Sequence, residues 1–287
     1  VGDVQGLSYF SPNSDRFIAI KSFEEFNADW QDIVAVAGDK SGRSWLLSGS
    51  TLYRFSSKTP RPEIIRDIEN IGIVGPRSIE ICFEKVLVAD RRGVVELDFN
   101  ASRSKRLIEI RQDNLLTYPV RLRCSQDRKI WISLFGGDLE SYSEDGRLLY
   151  RETAEEIFGH STPGIVELSF DTTGNPWYTD DNDMYRWSGD RFVKVPLLRG
   201  ARISAFAFRS ENELWVSRLG ILERYRWDGR TLELLQRIGE EEGMPLVESE
   251  GMKISPSGNI WLTTLRGLLE YDPKQNRARL FGIHDGL

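Results

Sequence analysis

The strongest constraint on this chain is a beat that recurs six times. A tryptophan is followed seven residues later by a leucine-type residue, and that residue three later by an aromatic. Trp45, Leu52 and Phe55 keep the beat, as do Trp177, Met184 and Trp187, then Trp215, Leu222 and Tyr225, and finally Trp261, Leu268 and Tyr271. Trp131, Leu139 and Tyr142 carry one extra residue, while Leu87, Val94 and Leu97 keep the spacing with aliphatic residues in the aromatic places. The steps between successive tryptophan-type positions are 42, 44, 46, 38 and 46 residues. A period of about 40–50 residues built of short strands indicates a propeller of four-stranded blades. Leu7 and Phe10 supply the end of the beat without its beginning. The expectation is an all-β fold: a β-propeller of four-stranded antiparallel blades, seven in number, with one blade incomplete in this chain.

Within a repeat the residue types assign the strands. An inner strand comes first, as in Ile33-Val34-Ala35-Val36-Ala37 or Val166-Glu167-Leu168-Ser169-Phe170. A turn such as Asp39-Lys40-Ser41-Gly42, Asp171-Thr172-Thr173-Gly174 or Ser255-Pro256-Ser257-Gly258 follows, in which Asx and Ser side chains bond the local backbone and Gly accepts positive φ. The tryptophan strand is second and the Leu-x-x-aromatic strand third. A polar fourth strand such as Ala278-Arg279-Leu280-Phe281 suits an outer edge. Strand residues three apart point to opposite faces, so the leucine and aromatic of strand three need both faces covered, as neighbouring blades would do. The repeated tryptophans are then packing residues between blades, a simpler role than carbohydrate stacking. Trp227, in a turn, reads as exposed.

One propeller domain over 1–287 follows, with residues 1–25 as the outer strands of a partial blade. Successive blades fall at about 30–70, 73–111, 118–152, 164–198, 202–238 and 247–283. The chain begins Val1-Gly2-Asp3, which reads as a mature or excised segment. By the beat, a large apolar residue should precede Val1, and the inner strands of the partial blade should follow Leu287. Glu152–Phe158 and Glu240–Pro245 read as longer connections with room for a helical turn, their charges solvated.

A net charge of −6 and a pI near 5.3 give no general attraction to nucleic acid or to an anionic membrane. No apolar run approaches the roughly 20 residues of a membrane span. Cys82 and Cys124 fall on inner strands of successive blades, several strands apart, and read as buried free thiols rather than a disulfide.

The most informative motif lies near the end. Glu242-Gly243-Met244-Pro245, then Val247, then Met252-Lys253-Ile254-Ser255-Pro256-Ser257-Gly258-Asn259-Ile260-Trp261 and Gly267-Leu268-Leu269-Glu270-Tyr271-Asp272-Pro273 resemble the two-component regulator propeller repeat. Asp113-Asn114-Leu115-Leu116 before Val120, and His284-Asp285-Gly286-Leu287, echo the inter-blade loop of that family. Where the family has Gly-Thr after the tryptophan strand, this chain has Leu47-Ser48, Ser133-Leu134 and Thr263-Thr264. The resemblance spans nearly the whole chain. It implies a sensor region of a bacterial histidine kinase, hybrid regulator or diguanylate cyclase, placed in the periplasm or otherwise outside the cytoplasm.

An enzymatic reading has little to stand on. His160 and His284 are the two histidines, and no His-x-His or Cys-x-x-Cys spacing, Gly-x-Ser-x-Gly elbow, Walker sequence or dinucleotide fingerprint occurs. Asp180-Asp181-Asn182-Asp183 is the best acidic cluster, and a polar turn is the simpler account of it. No metal or cofactor is expected. A lactonase or streptogramin-lyase type of propeller enzyme is the competing class, since a D-x-x-G-x-x-W turn and strand occurs there too. A protein-interaction scaffold is the third.

Antiparallel order puts the turn after the tryptophan strand and the inter-blade loop at one end of each blade, where binding loops on a rigid scaffold concentrate. Those loops carry Arg77, Arg91, Tyr118, Phe135, Asp181, Arg218 and Arg266, the candidate ligand-binding residues. Arginine forks beside aromatic rings suit an anionic small molecule or a saccharide. A receptor homodimer is compatible with this reading, and no nucleic-acid or membrane contact is expected from this segment.

Overall fold

Each repeat folds into an antiparallel sheet because its turns are built for tight reversal. The computed structural model describes residues 2–3, 6–11, 16–19, 33–39, 42–49, 51–56, 59–110, 117–159, 167–180, 182–197 and 200–285. In the first turns of three repeats the amides of Gly42, Gly174 and Gly258 donate to the carbonyls of Asp39, Asp171 and Ser255, at 3.2, 3.0 and 2.9 Å. All three glycines take positive φ, as the turn requires.

The first blade comprises β4 (Ile33–Gly38), β5 (Arg43–Ser48), β6 (Thr51–Ser56) and β7 (Thr59–Asp67), preceded by β1 (Gly2–Asp3), β2 (Gly6–Ser11) and β3 (Arg16–Ala19). The second comprises β8 (Ser78–Cys82), β9 (Lys85–Asp90), β10 (Gly93–Leu97) and β11 (Ser104–Glu109). In the third are β12 (Pro119–Cys124), β13 (Lys129–Leu134), β14 (Leu139–Ser143) and β15 (Leu148–Glu152), followed by α1 (Ala154–Phe158). The fourth holds β16 (Leu168–Phe170), β17 (Pro176–Thr179), β18 (Met184–Trp187) and β19 (Phe192–Val195). β20 (Ile203–Ser210), β21 (Glu213–Arg218), β22 (Ile221–Trp227) and β23 (Leu232–Ile238) make the fifth. The sixth is β24 (Ser249–Ile254), β25 (Ile260–Thr264), β26 (Gly267–Asp272) and β27 (Arg277–Phe281). Every blade pairs its four strands in chain order.

Among the described residues the fold is therefore an all-β propeller of six four-stranded antiparallel blades, and the expected seven is corrected to six. The N-terminal strands pair among themselves as a three-stranded sheet, β1-β2-β3. Leu7 and Phe10 misled the count because two apolar residues three apart recur in many strands, and the position of the tryptophan that gives the beat its weight would fall before Val1. Two compact units divide the chain, Val1–Ile165 with Gly286–Leu287, and Val166–Asp285. The first unit holds the N-terminal sheet and blades one to three, the second blades four to six.

Alternate residues along one strand enter different cores. In β9, Val86 and Val88 join Trp45, Leu47 and Leu52 of the first blade, while Leu87 and Ala89 join Leu122, Ile130 and Ile132 of the third. In the second unit Tyr225 packs with Trp177 and Met184, whereas Leu222, three residues earlier, packs with Leu262 and Tyr271. A blade is covered on both faces, which is what the leucine-to-aromatic spacing demands. Trp45, Trp131, Trp177 and Trp215 are completely or almost completely buried. Trp261 is an exception: it is half-buried and stacks on Phe281 of its own blade, with centroids 5.7 Å apart. Trp227 is buried rather than exposed, its ring edge-on to Trp177 at 5.0 Å.

The glycine that opens strand three has a steric reason. A Cβ on Gly267 would lie 2.0 Å from the Phe281 carbonyl oxygen, and one on Gly93 would lie 2.2 Å from that of Ile108. Both residues also hold φ above +120°, so only glycine lets strand four close against strand three here.

The free-thiol expectation is overturned. Cys82 and Cys124 form a disulfide, with Cα atoms 6.0 Å apart. Each is the last residue of the first strand of its blade, so equivalent positions of neighbouring blades lie side by side. The several strands between them in sequence are no separation in space.

The connections behave as short capped turns. Thr153 caps α1 reciprocally with Glu156, and Glu240–Glu242 form one 3-10 turn. No helix among the described residues is long and apolar enough to cross a membrane.

Candidate functional site

In three blades the turn after the second strand is bonded to an inter-blade lead-in. In the first unit Arg91 N–H donates to the Val74 carbonyl (3.2 Å) and Phe135 N–H to the Tyr118 carbonyl (2.9 Å). In the second unit Gly220 N–H donates to the Val247 carbonyl at 3.2 Å. These bonds fix loop backbones that would otherwise be free to fray.

Three of the expected residues meet in the first unit. Tyr118, just before β12, stacks on Phe135, just after β13, with centroids 5.2 Å apart and planes 15° from parallel. Arg77, just before β8, holds its guanidinium 5.1 Å from the Tyr118 ring centre. The geometry suits cation–π attraction and ring stacking. Arg77 is exposed and both rings are partly exposed, so the donors of the fork and parts of the rings stay open to solvent. Arg91 is also exposed and lies against the same lead-in, since a Cβ on Gly75 would come within 2.9 Å of its Nε.

A buried carboxylate steadies that lead-in. Asp90, at the end of β9, is fully buried and accepts Arg106 Nη1 at 2.6 Å and Nη2 at 2.9 Å. It also accepts the amides of Val74 (3.1 Å) and Arg92 (2.9 Å), and Arg106 reaches the Gly72 carbonyl at 3.1 Å. A bidentate, fully satisfied pair of this kind fixes backbone position. Arg77 and Arg91 are therefore presented from a braced loop. Such an arrangement can bind and orient an anion through the fork and hold an apolar or ring face against the aromatics.

The remaining expected residues belong to the second unit. Asp181 lies outside the described residues. Beside it, Asp180 accepts the amides of Asn182 and Asp183, and Asp183 pairs with Lys194 at 2.6 Å, which is turn and ion-pair chemistry.

Arg218 is corrected from a ligand-facing to a buried residue. Its side chain is 0% exposed, its Nε donates to Glu223 Oε2 at 2.9 Å, and its Nη1 donates to the Ala201 carbonyl. Tyr225 Oη donates to the same carboxylate at 2.7 Å. Burial, then the Glu223 carboxylate, push the Tyr225 phenol well above its ordinary range. Arg266 sits in the exposed turn before β26. Thr264, not Arg266, is the counterpart of Arg218, because each ends its tryptophan strand. Arg266 lies two residues further on, past the end of its strand, and so stands in the turn rather than inside the blade. The same turns and lead-in of the second unit expose Leu219, Leu246 and Leu265.

Sequence reasoning passed over Arg106, Glu140 and Glu223. Glu140 repeats the Glu223 arrangement in the third blade, taking bonds from Tyr142 Oη and from Arg151 Nε at 2.6 Å. A signal existed: Glu140-Ser141-Tyr142 and Glu223-Arg224-Tyr225 place a carboxylate two residues before the repeated tyrosine, on the same strand face.

Comparison with known proteins reaches the fold. No protein-family model matches the chain, and no curated protein does. Among solved structures, the extracellular domain assigned to the hybrid two component system BT3049 from B. thetaiotaomicron superposes with a TM-score of 0.68 at 14% identity, covering 89% of this chain and 35% of that one. The extracellular domain assigned to the one component system BT4673 from B. thetaiotaomicron gives a TM-score of 0.64 at 14% identity, covering 87% and 33%. The WD40 β-propeller domain of Doa1 gives 0.65 at 12% identity, covering 88% and 82%. These likenesses are to propellers. The chain spans about a third of the length of the two extracellular domains.

Proposed function

We propose that this chain is the ligand-sensing or interaction propeller of a bacterial two-component or cyclase-type signalling receptor, related to the two-component regulator propeller repeats, which binds without chemistry. The observation that carries the reading is the Arg77–Tyr118–Phe135 cluster. An exposed guanidinium beside stacked rings, on a loop braced by Asp90 and Arg106, is preorganised to take an anionic small molecule or saccharide. Two structural neighbours that are extracellular domains of signalling systems support the sensor assignment. The Cys82–Cys124 disulfide supports an oxidising, extracytoplasmic setting such as the periplasm, since structural disulfides persist there and are rare in the cytosol.

A scaffold role is the second reading, favoured by exposed Leu219, Leu246 and Leu265 and by the WD40 neighbour. A thermal-shift panel of carboxylates, sulfates, phosphates and neutral sugars separates these possibilities. The sensor reading expects a ligand that raises the melting temperature with or without chelator and is recovered unchanged by mass spectrometry. A ligand consumed during incubation, or stabilisation abolished by chelator, would transfer the protein to the enzyme class.

A further inference from the structure

The seam between the second and third blades is tied along its length. β8 and β12 lie side by side as the first strands of those blades. At their C-terminal ends stands the Cys82–Cys124 disulfide. Between the ends, Arg123 pairs with Glu80 at 3.3 Å. At their N-terminal ends Arg77 lies over Tyr118. The ties thus run from one end of the two strands to the other, and the disulfide lies on the order of 17 Å from the cluster at about 3.3 Å per strand residue.

The disulfide end carries backbone strain as well. The hairpin turn after Cys82 is made by Phe83 and Glu84, both at positive φ, +53° and +63°. Two-residue hairpins of this shape ordinarily use Asn-Gly or Gly-Gly, and each non-glycine residue held there costs on the order of 1 kcal/mol or more. Arg128 of the third blade, itself at φ +62°, packs over the Phe83 ring at 5.0 Å. The two first-turn hairpins therefore hold each other in conformations that neither sequence prefers, with a covalent bond between them.

We propose that the Cys82–Cys124 disulfide is a redox-sensitive clamp that sets the spacing of β8 against β12 and thereby holds the Arg77–Tyr118–Phe135 cluster together from the opposite end of the seam. Cys124 is the entry point for a reductant, because it is partly exposed while Cys82 is 3% exposed among Leu87, Ile108 and Leu122. A dithiol supplies the two electrons. One of its thiolates attacks the Cys124 sulfur, the Cys82–Cys124 bond breaks, and Cys82 leaves as a thiolate that takes a proton. The second thiol of the reagent, as thiolate, then attacks the reagent sulfur of the mixed disulfide. That step releases Cys124, which is protonated in turn, and leaves the reagent as a cyclic disulfide. The covalent tie is gone and the strained turns can relax, which loosens the seam towards the cluster. The inference does not require that the cluster bind any ligand.

Hydrogen exchange with mass spectrometry tests it on the full chain. Two amides report the cluster end: Arg77 N–H, bonded to the Ala89 carbonyl at 2.8 Å, and Phe135 N–H, bonded to the Tyr118 carbonyl. Treatment with dithiothreitol should speed exchange at both by about tenfold or more, while β20 to β23 in the second unit keep their rates. The double variant Cys82→Ala/Cys124→Ala, without reductant, should show the same local change, which removes the reagent as its cause. Unchanged exchange at Arg77 and Phe135 in both samples would overturn the proposal. So would loss of protection spread evenly over both units, which would make the disulfide a general staple with no particular hold on this cluster.

Discussion

Arg218 is the residue for which a binding role and a packing role differ most, and Arg218→Met tests which one holds. Methionine keeps much of the apolar stem and deletes the charge, so lost volume contributes little. The change removes the 2.9 Å bond from Nε to Glu223 and the donor to the Ala201 carbonyl. It leaves Glu223, 1% exposed, as a buried carboxylate. Breaking a buried pair in this way costs about 3–5 kcal/mol. Glu223 retains the Tyr225 hydroxyl at 2.7 Å, and Arg237 Nε stands 3.5 Å from its other oxygen on a side chain 47% exposed. Two surviving partners place the cost at the lower end, about 3 kcal/mol. Urea denaturation followed by tryptophan fluorescence measures it. Replacing both partners, as Arg218→Met/Glu223→Leu, should cost less than the sum of the single changes by about 2 kcal/mol, the mark of a coupled pair. An Arg218→Met protein within about 0.5 kcal/mol of wild type, or strict additivity of the two changes, would refute the buried-pair account and return Arg218 to the binding face.

Other expectations follow from the same structure. Trp215→Ala should cost about 3–5 kcal/mol in denaturant unfolding, whereas Trp261→Ala, starting from a half-buried ring, should cost clearly less. Gly267→Ala should destabilise by about 1–3 kcal/mol, because its φ of +127° and the Phe281 carbonyl both refuse a Cβ. Asp228 accepts the amides of Thr231 and Arg230, which lower its carboxyl from the ordinary 3.8 to about 2. A folded pKa below the unfolded one adds stability that is complete above about pH 4 and is lost as pH falls towards about 2. Carboxyl-resonance NMR titration reads that pKa directly, and an ordinary value would contradict the turn geometry. At the alkaline end, burial and then their glutamate partners raise the Tyr142 and Tyr225 phenols. Their stabilising contribution is present below an ordinary tyrosine pKa near 10 and is lost at higher pH, so an absorbance titration should show both ionising late, together with unfolding.

Much of the architecture was legible because packing writes a period into the chain. Tryptophan-type positions 38 to 46 residues apart, with leucine and aromatic three apart on strand three, can be satisfied only by sheets covered on both faces. What could not be read were facts of register and of neighbouring blades. Cys82 and Cys124 are 42 residues apart, one blade period, and that number marks equivalent positions on adjacent first strands. Arg218 and Arg266 stand three and five residues past their tryptophans, and the difference puts one inside the blade and the other in the turn. Arg77, Tyr118 and Phe135 were legible as loop residues of one face, but their mutual stacking depends on how the second and third blades pack. The seventh blade failed for a simpler reason: Leu7 and Phe10 carry the weak half of the beat.

The most direct test of the account is calorimetric titration of a ligand found in the thermal-shift panel against wild type, Arg77→Ala, Arg266→Ala and Lys274→Ala. Arg77→Ala should weaken an anionic ligand by about 1–3 kcal/mol, the range for a hydrogen bond to a charged group, with folding retained. Lys274→Ala, in an exposed turn of the sixth blade, should bind as wild type. Arg266→Ala should also bind as wild type if the cluster of the second and third blades is the site. Unaltered binding by Arg77→Ala, or equal losses from all three variants, would contradict the assignment of the site to Arg77, Tyr118 and Phe135.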